Sequence, residues 1–300
     1  MKLEGVTAFV SVIESGSISL AARRLRLSKS VVSERLSDLE RDLGAKLVQR
    51  TTRKLSLTED GAAFYERAAR ILREIEDARA DLQERQGTLA GALRLSVPVT
   101  FGRMHVGPAL YRFLAAHPKL EVTLVLDDLR VDAAAEGYDA VIRHGAVDDS
   151  RLTAWRLAPS RRVLCASPAY LARCRAPATI ADLKDHDALV YTNRGVADWT
   201  LIGPDGPEVV RPHVKLQANN GDLLRDAALA GLGISLLPLF AVGPALAAKQ
   251  LVAIDVGLQP AAEVIYMAHP DGRMASAKLR SLADHLRKSF GDPPYWEQGI

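Results

Sequence analysis

The chain has 300 residues, 48% of them hydrophobic and 25% charged, with a formal net charge of +3. This apolar content excludes a disordered protein, and a count of two cysteines, Cys165 and Cys174, excludes a disulfide-built secreted domain. The charge is uneven: Leu20 to Leu57 carries a local +6 (ten Lys or Arg against four Asp or Glu) and the remainder −3, which suggests a polyanion-binding head on a slightly acidic body.

The start, Met1-Lys2-Leu3-Glu4, carries an early acid, and the short apolar stretch after it is broken by Glu14. The expectation is therefore no signal peptide and, with the sparse cysteines, a cytoplasmic protein. Val6, Phe9, Val10 and Ile13 form a helical stripe that ends at Ser15-Gly16. Ser17 reads as the N-cap of a short second helix, Ile18 to Leu25, whose Ala21-Ala22 pair lets another helix come close. Ser28 opens a third helix on Val32, Leu36, Leu39 and Leu43, and Gly44 stops it. Two short helices joined by a tight turn behind a supporting helix have the order of a helix-turn-helix. The outward face of the third helix carries Ser28, Lys29, Ser30, Ser33, Glu34 and Arg35, side chains able to contact phosphates or base edges. A merely solvated helix face has the same composition.

Lys46 to Leu57 mixes apolar and β-branched residues with four bases, as a two-stranded wing does, and sets Arg50, Arg53 and Lys54 against the DNA backbone or minor groove. Thr58 then caps a long helix to about Gln86, a rod of about 40 Å. Its narrow seam of Tyr65, Ala68, Leu72, Ile75 and Leu82 predicts a dimer contact rather than a monomer core.

The segment GSISLAARRLRLSKSVVSERLSDLERDLGAKLVQRTTRKLSLTEDG resembles the DNA-binding region of LysR-type transcriptional regulators, in the order helix-turn-helix, LE-x-x-LG, R-T-x-R, L-T-x-x-G and linker helix. The resemblance implies that Ser28 to Leu43 is the recognition helix. Glu34 departs from it, since many relatives place a basic or amide residue there. A glutamate cannot pair with phosphate but can accept from cytosine N4, which shifts phosphate anchoring to Arg35 and the wing.

Beyond Gly87–Gly91, strands near Leu93–Val97, Glu121–Leu126, Ala140–Arg143, Val163–Ala166, Leu189–Tyr191, Leu216–Ala218, Ile234–Leu237 and Val264–Met267 alternate with helical segments, predicting α/β structure with mostly parallel sheets. Between Asp226 and Lys249 no charge occurs for 22 residues, enough for a membrane span, but the glycines and prolines there read as helix, cap, strand and second helix. SVPVTFGRMHVGPAL, YDAVIRHG, RLAPSRRVLCASPAYLA and NNGDLLRDAALAGLGISLLP resemble the effector-binding half of the same family.

The fold implied is an α+β multidomain chain: a winged helix-turn-helix at 1–59, a linker and dimerisation helix at 60–90, and a two-lobed α/β domain of the periplasmic-binding-protein type (type II) at 91–300. Its first lobe would take about 91–161 and 268–300, its second about 162–267. Ligands in such folds lie between the lobes, at strand ends and helix N-termini. The resemblance points to Pro98, Val99, Thr100 and Phe101 in one lobe, and to Asn219, Asn220 and Phe240 in the other. Thr100 would be the ligand hydroxyl, for a small carboxylate or aromatic acid, although the same residues also serve as plain helix caps.

Hydrolase-elbow, phosphate-loop and HExxH motifs are absent, the seven histidines are scattered, and no pairing of Cys165 with Cys174 can be read, so neither catalysis, metal nor cofactor is expected. The resemblance implies double-stranded promoter DNA, a small-molecule effector, self-association as a dimer or dimer of dimers (a homotetramer) and RNA polymerase as partners. Two rivals stay open: an enzyme or solute-binding protein built on the α/β body, and a DNA binder with a silent pocket.

Overall fold

Serines and glycines delimit the helices of the N-terminal unit. The structure, a computed structural model, describes residues 1–50, 55–84, 88–129, 131–133, 136–145, 152–194, 199–270 and 275–299. Its chain divides into two compact units, Met1–Gly87 and Thr88–Ile300. α1 (Leu3–Ser15) ends at Gly16, with φ +67°. α2 (Ile18–Leu25) begins at Ser17, whose hydroxyl accepts the Leu20 N–H, and α3 (Lys29–Leu43) begins at Ser28, whose hydroxyl accepts the Val31 N–H. Gly44 (φ +67°) ends α3. Each device satisfies groups that a helix terminus leaves open. β1 (Val48–Arg50) and β2 (Leu55–Leu57) pair antiparallel as the wing, with Val48 opposite Leu57, and α4 (Glu59–Glu84) follows.

Phe9 and Val10 of α1, Leu36 and Leu39 of α3, Leu47 and Val48 of the wing and Ala68 of α4 share one buried core. Ala8, Val12, Ala21, Ala22 and Val32 form a second, in which the small alanines admit α2. Tyr65 and Leu72 pack against the first core, beside Phe64. The first half of the seam on α4 therefore faces its own head, contrary to the dimer contact expected of it: Phe9, with Phe64 and Tyr65 rings 5.7 and 6.3 Å away, already occupies that stripe. Ile71, on another side of α4, is 45% exposed.

Two contacts fix the wing. Glu40 is buried, and its Oε1 accepts the Leu47 and Val48 N–H groups at 3.0 and 3.2 Å while Oε2 holds Lys46 Nζ at 2.6 Å. The Thr58 hydroxyl donates to the Lys46 carbonyl (2.6 Å) and accepts the Gly61 N–H (2.8 Å). A Cβ at residue 61 would lie 1.9 Å from the Leu47 carbonyl oxygen, so only glycine lets α4 start against the wing.

The second unit opens with β3 (Ala90–Val97), α5 (Val99–Phe101), a π-helical turn (Gly102–Val106) and α6 (Gly107–Ala116). β4 (Lys119–Leu126), β5 (Ala140–Gly145) and β6 (Leu152–Ser160) complete the first passage. After Arg161 come β7 (Arg162–Ala166), α7 (Pro168–Arg173), β8 (Asp187–Tyr191), β9 (Trp199–Gly203), β10 (Gly206–Val210) and β11 (His213–Ala218). Next are α8 (Gly221–Leu229), β12 (Ile234–Pro238), α9 (Leu239–Ala247), β13 (Val252–Ile254) and β14 (Gln259–Pro260). β15 (Glu263–Pro270) and α10 (Ala277–Phe290) return to the first lobe.

One five-stranded sheet has the order β4-β3-β5-β15-β6, the other β11-β8-β12-β7-β13, and β10-β9-β14 make a small third sheet. The chain crosses between lobes at Arg161 and again between Pro260 and Glu263. All of β15 thus belongs to the first sheet, and the return precedes the boundary near 267 read from sequence. The large sheets are mixed, not mostly parallel. β3 pairs parallel with β4, which it reaches through α5 and α6, and with β5, and β8 pairs parallel with β11 and β12, whereas β15 runs antiparallel to β5 and β6, and β7 to β12 and β13. Strands that enter directly from the other lobe have no helix to turn them round. The charge-free stretch folds as the end of α8, β12 and α9, and no described helix is long and apolar enough to cross a membrane.

Candidate functional site

On α3 the buried stripe of Val32, Leu36 and Leu39 turns Lys29, Ser30, Ser33 and Glu34 outward. At about 100° per residue, Lys29 and Ser33 share one line along the helix, and Ser30 and Glu34 the next. Lys29, Ser30 and Glu34 are exposed, Ser33 and Arg35 half-buried. Ser28 is exposed too, but its hydroxyl is spent on the cap and lies 2.8 Å from Ser30 Oγ. This end of the helix offers an ammonium, two hydroxyls and a carboxylate for phosphates and base edges. Arg53 and Lys54 lie outside the described residues, as does the side chain of Arg50, whose backbone pairs with Leu55.

In the second unit a cavity of about 50 Å³ opens between the lobes. One water needs about 10–15 Å³, so there is room for a small molecule. Pro98, Thr100, Phe101 and Phe240 line it, as read from sequence. Val99 stands beside it, with its N–H donated to Asp128 Oδ1 at 3.0 Å. Asn219 and Asn220 are not among the lining residues: Asn220 caps α8 by accepting the Leu223 N–H, the Asn219 carbonyl faces Asn193 Nδ2 at 3.5 Å, and Gly221 takes the place at the cavity wall. A Cβ on Gly221 would stand 3.2 Å from Thr100 Oγ1, so two helix starts, one from each lobe, meet here. Thr100 is 5% exposed, and its Oγ1 is buried without a hydrogen-bond partner among the described residues.

Asp128, His144, Arg162, Tyr191 and Trp199 also line the cavity and were not foreseen. Asp128 follows β4, His144 lies near the end of β5, and Tyr191 ends β8. All three obey the rule that ligands bind at the carboxyl ends of strands in α/β sheets, which the residues read from sequence follow only at the turns into α5, α8 and α9. Burial pushes the Asp128 carboxyl above the usual range, against the Val99 N–H and nearby His144, which pull it down. Glu263 joins the lobes: its Oε1 meets Arg162 Nη2 at 3.2 Å and its Oε2 meets His144 Nδ1 at 3.6 Å, all three side chains being largely shielded from solvent.

The apolar wall is aromatic. The Phe101 and Phe240 rings meet edge to face at 5.0 Å, and Trp296 backs Phe101 at 5.7 Å. Behind them His105, in the π-helical turn, lies 3.0 Å from the Phe240 carbonyl through Nε2 and 2.6 Å from the Tyr295 hydroxyl through Nδ1. Burial lowers its pKa to about 4, so the ring is neutral, donating from Nε2 and accepting at Nδ1.

A family model described as the LysR substrate binding domain matches residues 86–291, and one for the lysR family of bacterial regulatory helix-turn-helix proteins matches residues 3–62. The chain is 35% identical over 297 residues to the regulator CrgA of Neisseria meningitidis, covering 96% of this chain and 97% of the relative. It is 32% identical over 296 residues to the regulator PtxR of Pseudomonas aeruginosa, covering 98% and 95%. The solved structure of the Neisseria CrgA is similar with TM-score 0.61 at 31% identity, covering 96% of this chain and 99% of that one. The full-length virulence activator AphB of Vibrio cholerae is similar with TM-score 0.60 at 26% identity, covering 95% and 98%. Its relatives are transcriptional regulators, a non-enzymatic class. With a helix-turn-helix head followed by a two-lobed substrate-binding unit, this chain belongs to the LysR family of DNA-binding transcriptional regulators.

Proposed function

We propose that this chain is a sequence-specific regulator controlled by a small carboxylate or aromatic acid bound between the lobes. The observation that carries the reading is the buried Thr100 hydroxyl, unpartnered and turned to a cavity where two helices begin. Helix starts present amides that favour an anion, and Phe101, Tyr191, Trp199 and Phe240 supply the apolar walls that an aromatic acid fills. A carboxylate that draws Arg162 towards itself competes with Glu263. That pair spans the two crossings, so occupancy alters the angle between the lobes.

At the other end, α3 enters the major groove of promoter DNA with Lys29, Ser30, Ser33, Glu34 and Arg35 at base edges and phosphates. Ser28 sits at the rim, and the wing bases Arg50, Arg53 and Lys54 hold the backbone. Residues 60–90 dimerise through the part of α4 that the head leaves uncovered, two dimers bind one dyad, and RNA polymerase is the cytoplasmic partner that reads the outcome. The test is selection of sites from random duplex DNA at about 0.15 M salt, with and without small carboxylates, for the wild-type chain and Glu34→Ala. The wild type should enrich a dyad with half-sites about one helical turn apart, and the variant should relax one position of each half-site. Failure to enrich any dyad in either condition refutes sequence-specific regulation, and an unchanged variant profile refutes the reading role of Glu34.

A further inference from the structure

We propose that Asp128 selects, within the effector class inferred above, acids that carry a hydroxyl or amino group close to the carboxylate, and turns away their unsubstituted parents. This rests on the carboxylate reading and adds the group that distinguishes one acid from another.

A carboxylate has about four acceptor positions. Among the described residues, Asp128 fills one of them, with the Val99 N–H at 3.0 Å. The cations around it are committed elsewhere. The Arg143 guanidinium donates to the Ile142 carbonyl, the Ser96 hydroxyl and the Leu129 carbonyl, and His144 and Arg162 both meet Glu263. Asp127 adds a further negative charge nearby. Asp128 therefore lines the cavity with acceptor capacity and too few donors, and burial raises its pKa accordingly. A ligand hydroxyl or amino group supplies the missing donor. A parent acid sets a C–H, or its own charge, against a half-buried carboxylate, and a site built to hydrogen-bond a ligand hydroxyl or amine disfavours the analogue that lacks it.

The two groups belong to one helix start. Asp128 grips the N–H of Val99, and the next residue is Thr100 with its unpartnered hydroxyl. One helix start thus offers a donor for the ligand carboxylate and an acceptor for a neighbouring hydroxyl or amine, on an aromatic wall.

The experiment is titration calorimetry on the full-length protein with benzoate, meta-hydroxybenzoate, meta-aminobenzoate and meta-methoxybenzoate, and with the smaller pair propionate and lactate. The methoxy acid keeps size and oxygen but has no donor. Within each series the hydroxyl and amino acids should bind about tenfold or more tightly than the parent and the methoxy acid. Asp128→Asn keeps a carbonyl for Val99 and turns an amide N–H to the cavity, so it should abolish that preference or invert it towards the methoxy acid. Thr100→Val should weaken all the acids alike and leave the preference intact, and it keeps the test decisive should the Asp128 variant fail to fold. Equal binding of parent and hydroxylated acids, or a preference that survives Asp128→Asn, overturns the role of Asp128 and leaves the carboxylate reading standing. No binding by any of the six acids at millimolar concentration overturns that reading and this inference with it.

Discussion

Removing the Glu40 carboxylate tests whether the wing is held by backbone capture or by charge. Glu40 Oε1 is the acceptor for two N–H groups, those of Leu47 and Val48, which are 1% and 7% exposed. Glu40→Ala leaves both unsatisfied, at about 1–3 kcal/mol each, so the head should lose about 2–6 kcal/mol. Glu40→Gln retains the Oε1 carbonyl and forfeits only the ion pair with Lys46, which is 77% exposed, so its cost should stay within about 1 kcal/mol. Both variants are measured on the full chain by urea denaturation followed in parallel by far-UV circular dichroism and tryptophan fluorescence. The three tryptophans, Trp155, Trp199 and Trp296, all lie in the second unit, so fluorescence reports that unit and should not move. The helical signal should show an early transition in Glu40→Ala, with faster hydrogen exchange at residues 47 and 48. Equal losses in the Ala and Gln variants refute backbone capture, and an Ala loss below about 1 kcal/mol refutes the role altogether. There is also an acid signature. Burial raises the Glu40 pKa, but Lys46 and the two backbone N–H groups together hold it below its ordinary value of 4.5. The ionised form thus stabilises the head above the ordinary pKa, and that contribution fades as pH falls through the lowered one, a step absent from Glu40→Ala.

Two further outcomes follow from single contacts. Gly61→Ala puts a methyl 1.9 Å from the Leu47 carbonyl oxygen, a backbone atom that cannot yield cheaply, so the head should lose about 3 kcal/mol or more and binding to a selected DNA site should fall while the fluorescence transition stays; wild-type DNA affinity would refute this packing. His105, with its pKa lowered from 6.5 to about 4, stays neutral when folded but gains a proton when unfolded, so stability of the second unit should fall as pH drops from about 6.5 to about 4, by up to about 3 kcal/mol. Denaturation followed by the fluorescence of Trp296, whose ring lies 4.5 Å from His105, measures it, and an equal pH slope in His105→Gln would show that another group is responsible.

The head could be read almost residue by residue because its signals are local. Ser17, Ser28, Gly16 and Gly44 bound the helices at the positions where periodicity begins and ends. The exception is the seam on α4: a 3/4 spacing states that one face is apolar, not which surface covers it, and Phe9 proved to be the cover for its first half. In the second unit, Thr100 could be found because it begins a helix, whereas Asp128, His144 and Arg162 could not, since each is a single polar residue in or just beyond a strand and its neighbours in space come from other strands. Asn219 and Asn220 mislead for a related reason. A cap signal locates a helix start correctly, but here the asparagine side chain is consumed by the cap, and Gly221 faces the cavity. Strand direction was equally hidden, because alternation along β15 or β7 is the same whether the chain arrives through a helix or straight from the other lobe.

The ion pairs between the lobes differ in what they can transmit. Arg103 meets Asp222 at 2.8 Å, but the arginine is 56% exposed, and a pair of that kind is worth about 0–1 kcal/mol. Arg162 and Glu263 are 9% and 10% exposed at the two crossings, where removing one partner costs about 3–5 kcal/mol unless another charge replaces it. Couplings between sites are typically about 1–3 kcal/mol, so an acid that takes Arg162 away supplies ample energy only if Glu263 is not left bare. His144, 3.6 Å from the other oxygen of Glu263, is the side chain left beside that carboxylate when the arginine turns to the ligand. On the proposed reading, control over the lobes would therefore reside at the crossing, in Arg162, Glu263 and His144, rather than in the exposed contact between Arg103 and α8.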